Sequence, residues 1–518
     1  MTWIVLGEEN GRVRLVSKTK SEKERPGILP KGSYLTVEGS DGKTEERTKF
    51  ILRVDESSQF EPFKPSPLII DMDLSGLYGD VKCQNVISAY RIKNISTRED
   101  GKIDFIHPQT LARRSTQEEV DIAFGAIDKG PKVFLATIHG GQNQLLIDEN
   151  LRLITTKLPE DMFYHQMQIC GKTGSGKTVA MKYLAQYFVE EMNGAVLAIN
   201  VKDIDFLKMD QPSKTESKSI QNEWQMLGKE PHGVDNCTIY YPANTKITAF
   251  KGINYNIAKK ITLNVKEIEP EALTGLLQNI TEVGAQNFPD IFRFWQTEKK
   301  GESFSEFFKY FQKGRENPIF KTLNTRGDTS EVKLHSGTYE NILRNLNSSL
   351  AFFDNADAES LDSDDILSIG KMSIINVAGE NGIQFGSVLL RHLLKRIVSA
   401  KSQQKSDIPI LVIIDEVHQF YNTESSREAL GDLDTICRTG RSQKIGVIFA
   451  SQNPNDLPKG ISNVINSKIF FRSDGMSGQF FGISSEEAQS LDPGYSLVNI
   501  HNVPQLKVIK FPLSLSGV

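Results

Sequence analysis

The chain has 518 residues, enough for two to four domains with sizeable cores, and its 38% hydrophobic and 24% charged residues exclude a disordered or fibrous protein. A formal net charge of −4 excludes a globally basic nucleic-acid binder, although a ring could still gather Lys and Arg in its pore. No apolar run reaches the roughly 18 residues of a membrane span, the start lacks the regions of a signal peptide, and Cys83, Cys170, Cys237 and Cys437 have no metal or disulfide spacing; no membrane contact and a cytoplasmic location are expected.

In chain order, Trp3–Leu6 and Val13–Val16 flank the turn residues Glu9-Asn10-Gly11 and read as a hairpin. Ser33–Val37, Phe50–Val54 and Val81–Arg91 read as further short strands, and Ser17–Lys31 as a charged loop. Several short strands with turn signals predict a small β-barrel over 1–115. The stretch TQEEVDIAFGAI predicts a helical connector at the start of 116–205. Strands are expected at VFLATIHG, LLIDENLRL, Met167–Cys170 and Ala195–Val201. Residues 206–370 predict a mostly helical insertion, with strand-like TIYYPAN and KITLNV and helical patterns over Pro270–Gln286 and Tyr339–Phe353. From 371 to 518 strands and helices alternate. Ser373–Ala378 is a strand, and Phe385, Val388, Leu389, Leu393 and Ile397 mark one helix face. Ile408–Asp415 is a strand, a helix runs to about Arg438, and strands follow at Ile445–Ala450, Lys468–Phe471, Tyr495–Ile500 and Leu506–Phe511. Such alternation predicts an α/β fold: a P-loop core with a parallel sheet, an N-terminal small β-barrel and a mostly helical insertion.

Three segments carry chemistry. Gly171-Lys172-Thr173-Gly174-Ser175-Gly176-Lys177-Thr178 satisfies the phosphate-binding pattern G-x-x-x-x-G-K-[ST]. Glycines let the backbone turn its N–H groups onto the phosphates of ATP, Lys177 adds a point charge, and the Thr178 hydroxyl can ligate Mg²⁺. The following helix adds its N-terminal dipole. The second segment, Ile410-Leu411-Val412-Ile413-Ile414-Asp415-Glu416, is a buried strand ending in two acids. Asp415 would hold Mg²⁺ and Glu416 would polarise the attacking water. Beside a P-loop this reading gains force, because the fold is expected to set such a strand next to the phosphate loop. The third runs from Arg438 to Gln452. Gln452 ends an apolar strand, where its amide could sense the γ-phosphate. Arg438 and Arg441 could reach a neighbouring subunit's γ-phosphate, or could be solvated helix-end charges. The pairs Lys259-Lys260 and Lys299-Lys300 read as solvated faces.

The set GKTGSGKT, LVIIDE and RTGRSQKIGVIFASQNP resembles the HerA/FtsK superfamily of ring ATPases, and within it the HerA family. Two departures stand out: Lys444 occupies the place of a family glycine, and Asn453 that of a family arginine. His165 matches a histidine often seen before the P-loop, although its plain reading is structural. The N-terminal strands resemble the small barrel that HerA shares with ring ATP synthases. The ending GISSEEAQSLDPGYSLVNI to QLKVIKFP resembles the family's tail, which packs near a neighbour's nucleotide. The resemblance implies a homo-hexamer with ATP at subunit interfaces and double-stranded DNA in a central channel. It also implies a partner nuclease, often NurA-like, or a nuclease or NAD-hydrolysing defence effector; the work could be DNA repair or antiviral defence. Two alternatives remain at this point: a nucleotide-controlled hexameric scaffold that activates an effector, and a conjugation or secretion ATPase of the same superfamily.

Overall fold

The structure is a computed structural model. It describes all residues except 1–2, 18–28, 41–46, 61–83, 96–105, 203–204, 248–250, 278–281, 300, 380–381, 422–435, 437–439, 458 and 474–483. The chain forms two compact units, Met1–Glu160 with Ser477–Phe511, and Asp161–Met476 with Pro512–Val518.

The first unit opens with six antiparallel strands, β1 (Trp3–Glu9), β2 (Arg12–Ser17), β3 (Tyr34–Ser40), β4 (Arg47–Phe60), β5 (Gln84–Asn94) and β6 (Leu111–Arg114). They close in the order β1-β2-β5-β4-β3-β6. Alternation explains the closure, because every second side chain points inward. Trp3 and Val5, Val13 and Leu15, Leu35 and Val37, Phe50, Leu52 and Val54, and Ile87 and Ala89 fill the interior. The expected helix follows at Gln117–Ala123, started by a capping box between Thr116 and Glu119. Burial alone would raise the Glu119 carboxyl, but Arg113, Lys49 and Thr36 bind it and hold it down at about 2. Next come β7 (Lys132–His139), β8 (Gln142–Leu145) and β9 (Thr155–Lys157).

The second unit is built on parallel strands: β10 (Met167–Cys170), β11 (Ala195–Asn200), β12 (Cys237–Pro242), β13 (Ala258–Thr262), β16 (Glu359–Ser360), β17 (Met372–Asn376), β18 (Ile410–Ile414), β19 (Ile445–Ser451) and β20 (Ser467–Phe470). Their order is β16-β13-β12-β17-β11-β18-β19-β10-β20. Every residue of β10, β11, β17, β18 and β19 is buried, as in a sheet covered on both faces. The helix expected at Phe385–Val398 spans Gly382–Ser402.

The insertion carries helices at Lys218–Leu227, Glu282–Glu298, Phe304–Gln312 and Ser336–Ser348. It also supplies β12, β13 and β16 to the sheet and a separate hairpin, β14 (Ile319–Leu323) with β15 (Thr329–Lys333). Phe288, Phe292, Phe307, Phe311, Phe320 and Tyr339 pack into one aromatic cluster there. The tail Pro512–Val518 returns to this unit. Ser213 N donates to the Leu515 carbonyl at 2.9 Å and Trp224 Nε1 to the Leu513 carbonyl at 2.8 Å. Before that tail, β21 (Tyr495–Asn499) and β22 (Val508–Lys510) belong to the first unit and add antiparallel to β7 in the order β21-β22-β7-β8.

Candidate active site

The P-loop begins where β10 ends. A Cβ on Gly171 would lie 2.5 Å from Ser175 Oγ and 2.7 Å from Phe471 Cβ, so only glycine lets the loop close here. Gly176 has φ 101° and caps the helix Lys177–Glu190 without a side-chain hydrogen bond. The helix N–H groups therefore face the loop's concavity with no side chain competing for them. Ser175 Oγ is buried there and has no hydrogen-bond partner among the described residues. An uncapped helix start and an orphaned hydroxyl suit a bound phosphate chain.

Lys177 is 4% exposed and its Nζ lies 3.3 Å from Asp415 Oδ1, 3.4 Å from Glu416 Oε1 and 3.4 Å from the Ser451 carbonyl. Three strand ends therefore meet at one lysine. β18, whose end brings the acids to the phosphate loop, is not directly beside β10. β19 lies between them, pairing β10 on one side and β18 on the other. The long lysine side chain spans that extra strand.

Glu416 has φ 46°, a left-handed conformation that costs a non-glycine residue about 1 kcal/mol or more and fixes where its carboxylate points. Its N–H donates to Asp415 Oδ1 at 2.9 Å. Glu416 Oε1 also receives Lys202 Nζ at 2.8 Å and Gln452 Nε2 at 3.0 Å. Its other oxygen, Oε2, accepts no hydrogen bond among the described residues; His418 Nδ1 stands 3.7 Å away. Burial would raise this carboxyl, but Lys177, Lys202 and Gln452 outweigh it and hold it at about 2. One oxygen is thus clamped by donors and the other is free to take a water proton.

Gln452, just after β19, reaches this cluster through its amide. Arg441 does not join it within one chain. It is exposed and sits before β19, at the end of that seven-residue strand opposite Gln452, roughly 20 Å away at 3.3 Å per residue. Arg438 lies outside the described residues, as do Cys83 and Cys437. His165 ends the 3₁₀ turn Glu160–His165 just before β10.

Sequence reasoning missed Lys202, Asn200 and Asn376. Asn200 Nδ2 donates to Asn376 Oδ1 at 3.0 Å, and both are fully buried at the ends of β11 and β17. One signal could have found the two asparagines: each ends a largely apolar buried strand, and parallel strands bring such ends to one edge. Lys202 also makes a prediction. The active form of Glu416 is the carboxylate, and a nearby cation lowers its pKa. Lys202→Met removes that cation, so the acid limb of the pH–rate profile for ATP hydrolysis moves up by about one pH unit. An unmoved limb would show that Lys202 does not tune Glu416.

Oxygen donors suit Mg²⁺, and Thr178 with Asp415 are the residues here that would hold it; it would neutralise charge on the phosphates.

Residues 145–397 match the family model "Helicase HerA, central domain", and residues 378–513 match "Zonular occludens toxin (Zot)". The chain is a HerA/FtsK-like P-loop ATPase. It is similar to the "DNA double-strand break repair helicase HerA" of Sulfurisphaera tokodaii, 26% identical over 173 residues, covering 30% of this chain and 34% of that protein. A protein of the same description from Saccharolobus solfataricus is 24% identical over 159 residues, 27% of this chain and 31% of its own length. The matches thus span about a third of these curated relatives. Among solved structures, VirB4 of Thermoanaerobacter pseudethanolicus aligns with a TM-score of 0.44 and 13% identity, over 75% of this chain and 97% of that one. No described helix of this HerA/FtsK-like ATPase is long and apolar enough to cross a membrane.

Proposed function

We propose that this chain hydrolyses ATP with Mg²⁺ and uses the cycle to translocate on or unwind double-stranded DNA as a homo-hexamer in the cytoplasm. The observation that carries the reading is the convergence of Lys177, Asp415, Glu416 and Gln452 at one end of the parallel sheet. ATP lies with its phosphates on the loop Gly171–Thr178. Lys177 leaves the acids for the β- and γ-phosphates. Glu416 loses one of its cations, becomes more basic and takes a proton from the attacking water through Oε2. Gln452 reports the γ-phosphate to Glu416. Exposure of Arg441 supports a role in trans, where its guanidinium would stabilise charge on a neighbour's γ-phosphate. Arg438 is proposed for the same contact.

DNA as the track is supported by the HerA descriptions of the relatives. The partner is proposed to be a nuclease, NurA-like or belonging to a defence effector, and residues 206–370 are proposed as the inserted module between the two halves of the ATPase core. A triplex-displacement assay tests the motor. The expected result is ATP-dependent release of a third strand from linear duplex DNA. Turnover of ATP with no release would remove translocation from the account.

A further inference from the structure

The first unit contains a cavity of about 160 Å³, lined by no P-loop residue. It is lined by the turn before β3 (Lys31, Gly32), β4 (Arg53, Val54, Asp55), Tyr90 of β5, Thr137 of β7, Glu487 and Lys507. Its charges are unevenly committed. The acids are engaged: Asp55 pairs with Arg12 at 3.0 Å, and Glu487 accepts the Ser484 N–H at 3.1 Å. The cations are less so, although the Asp55 charge acts on Arg53 from a distance. Arg53 donates from Nη1 to the Tyr90 hydroxyl at 2.9 Å, while its Nε is buried with no partner among the described residues. Among the described residues, no carboxylate lies within 4.0 Å of Arg53, Lys507 or Lys31. Burial, and then the Arg53 charge, push the Lys507 amine down. Burial keeps Tyr34, beside Arg53, up at about 12, so no phenolate neutralises the guanidinium.

Two cations brought together in a half-buried wall, without a bridging acid, repel one another and lose hydration. An oxyanion between them would relieve both costs, and a guanidinium presents the planar fork that an oxyanion accepts. The space holds on the order of ten water-sized positions, enough for a phosphate group. We propose that this cavity binds a phosphate oxyanion, held by Arg53, Lys507 and Lys31.

The test is equilibrium dialysis of labelled inorganic phosphate against the full chain carrying Lys177→Ala, which weakens phosphate binding at the P-loop. The expected result is about one equivalent bound per chain, weakened about tenfold or more by Arg53→Gln and by Lys507→Gln. Lys507 is half-exposed, so its variant keeps the test valid if Arg53→Gln disturbs the barrel; thermal melting checks both. No phosphate bound, or unchanged binding in a normally melting Lys507→Gln protein, would overturn the site. Displacement by a 5′-phosphorylated but not a 5′-hydroxyl oligonucleotide would assign the phosphate to a nucleic-acid end. Displacement by neither would assign it to free phosphate.

Discussion

Glu416→Gln is expected to bind ATP as tightly as the parent protein and to hydrolyse it at least about a hundredfold more slowly. The amide matches the carboxylate in shape, and its oxygen can still accept from Lys202 and Gln452. The free oxygen Oε2 becomes either an amide nitrogen or a weakly basic carbonyl, and neither takes a proton from water. Loss concentrates in kcat, because the carboxylate acts on the transition state rather than on binding. Single-turnover hydrolysis with separately measured nucleotide affinity checks this. A variant that turns over ATP within a few-fold of the parent would move the base to another residue, and His418 would be the first to examine.

Lys177→Ala is expected to reduce kcat/KM by about 10³, with losses in both binding and turnover. The lysine has two tasks. Toward ATP it is a desolvated cation on the β- and γ-phosphates, where charge grows in the transition state. Toward the protein it separates Asp415 and Glu416, which are both 1% exposed. Its removal leaves these acids with Lys202 as their cation, so the melting temperature falls as well. Steady-state kinetics and a thermal melt read the two effects. Normal turnover would deny the loop its role; normal melting with lost turnover would confine the lysine to catalysis.

Legibility in the sequence followed the distance between the residues that act together. The P-loop was readable because its geometry is local: eight consecutive residues contain the turn, the charge and the hydroxyl. Asp415-Glu416 and Gln452 were readable because each ends a run of apolar residues, the mark of a buried parallel strand. The barrel was readable from period-two alternation and turn residues. Lys202 was not readable, since its meaning depends on Glu416, which reaches it only after the sheet is assembled. The position of β19 between β10 and β18 was equally hidden, because strand order follows from crossover connections and not from any strand's own composition.

The stretch 206–370 shows a different limit. Helical spacing in Ser336–Ser348 and the strand-like KITLNV that overlaps β13 were visible, but β16 and the hairpin carry exposed polar residues and lack long apolar runs. Residues Asn324 to Asp328 form the hairpin's turn through hydrogen bonds to the Asn324 side chain, a signal too short to outweigh the surrounding helical pattern. Pro289 lies inside the helix Glu282–Glu298, where sequence alone argues for a break.

The most direct measurement is steady-state ATP hydrolysis by the full chain, with and without long linear duplex DNA, using Lys177→Ala as the blank. The expected result is Mg²⁺-dependent turnover that the blank lacks and that duplex DNA stimulates several-fold. Turnover indifferent to DNA would contradict the motor and leave a nucleotide-controlled scaffold as the better description of the same site.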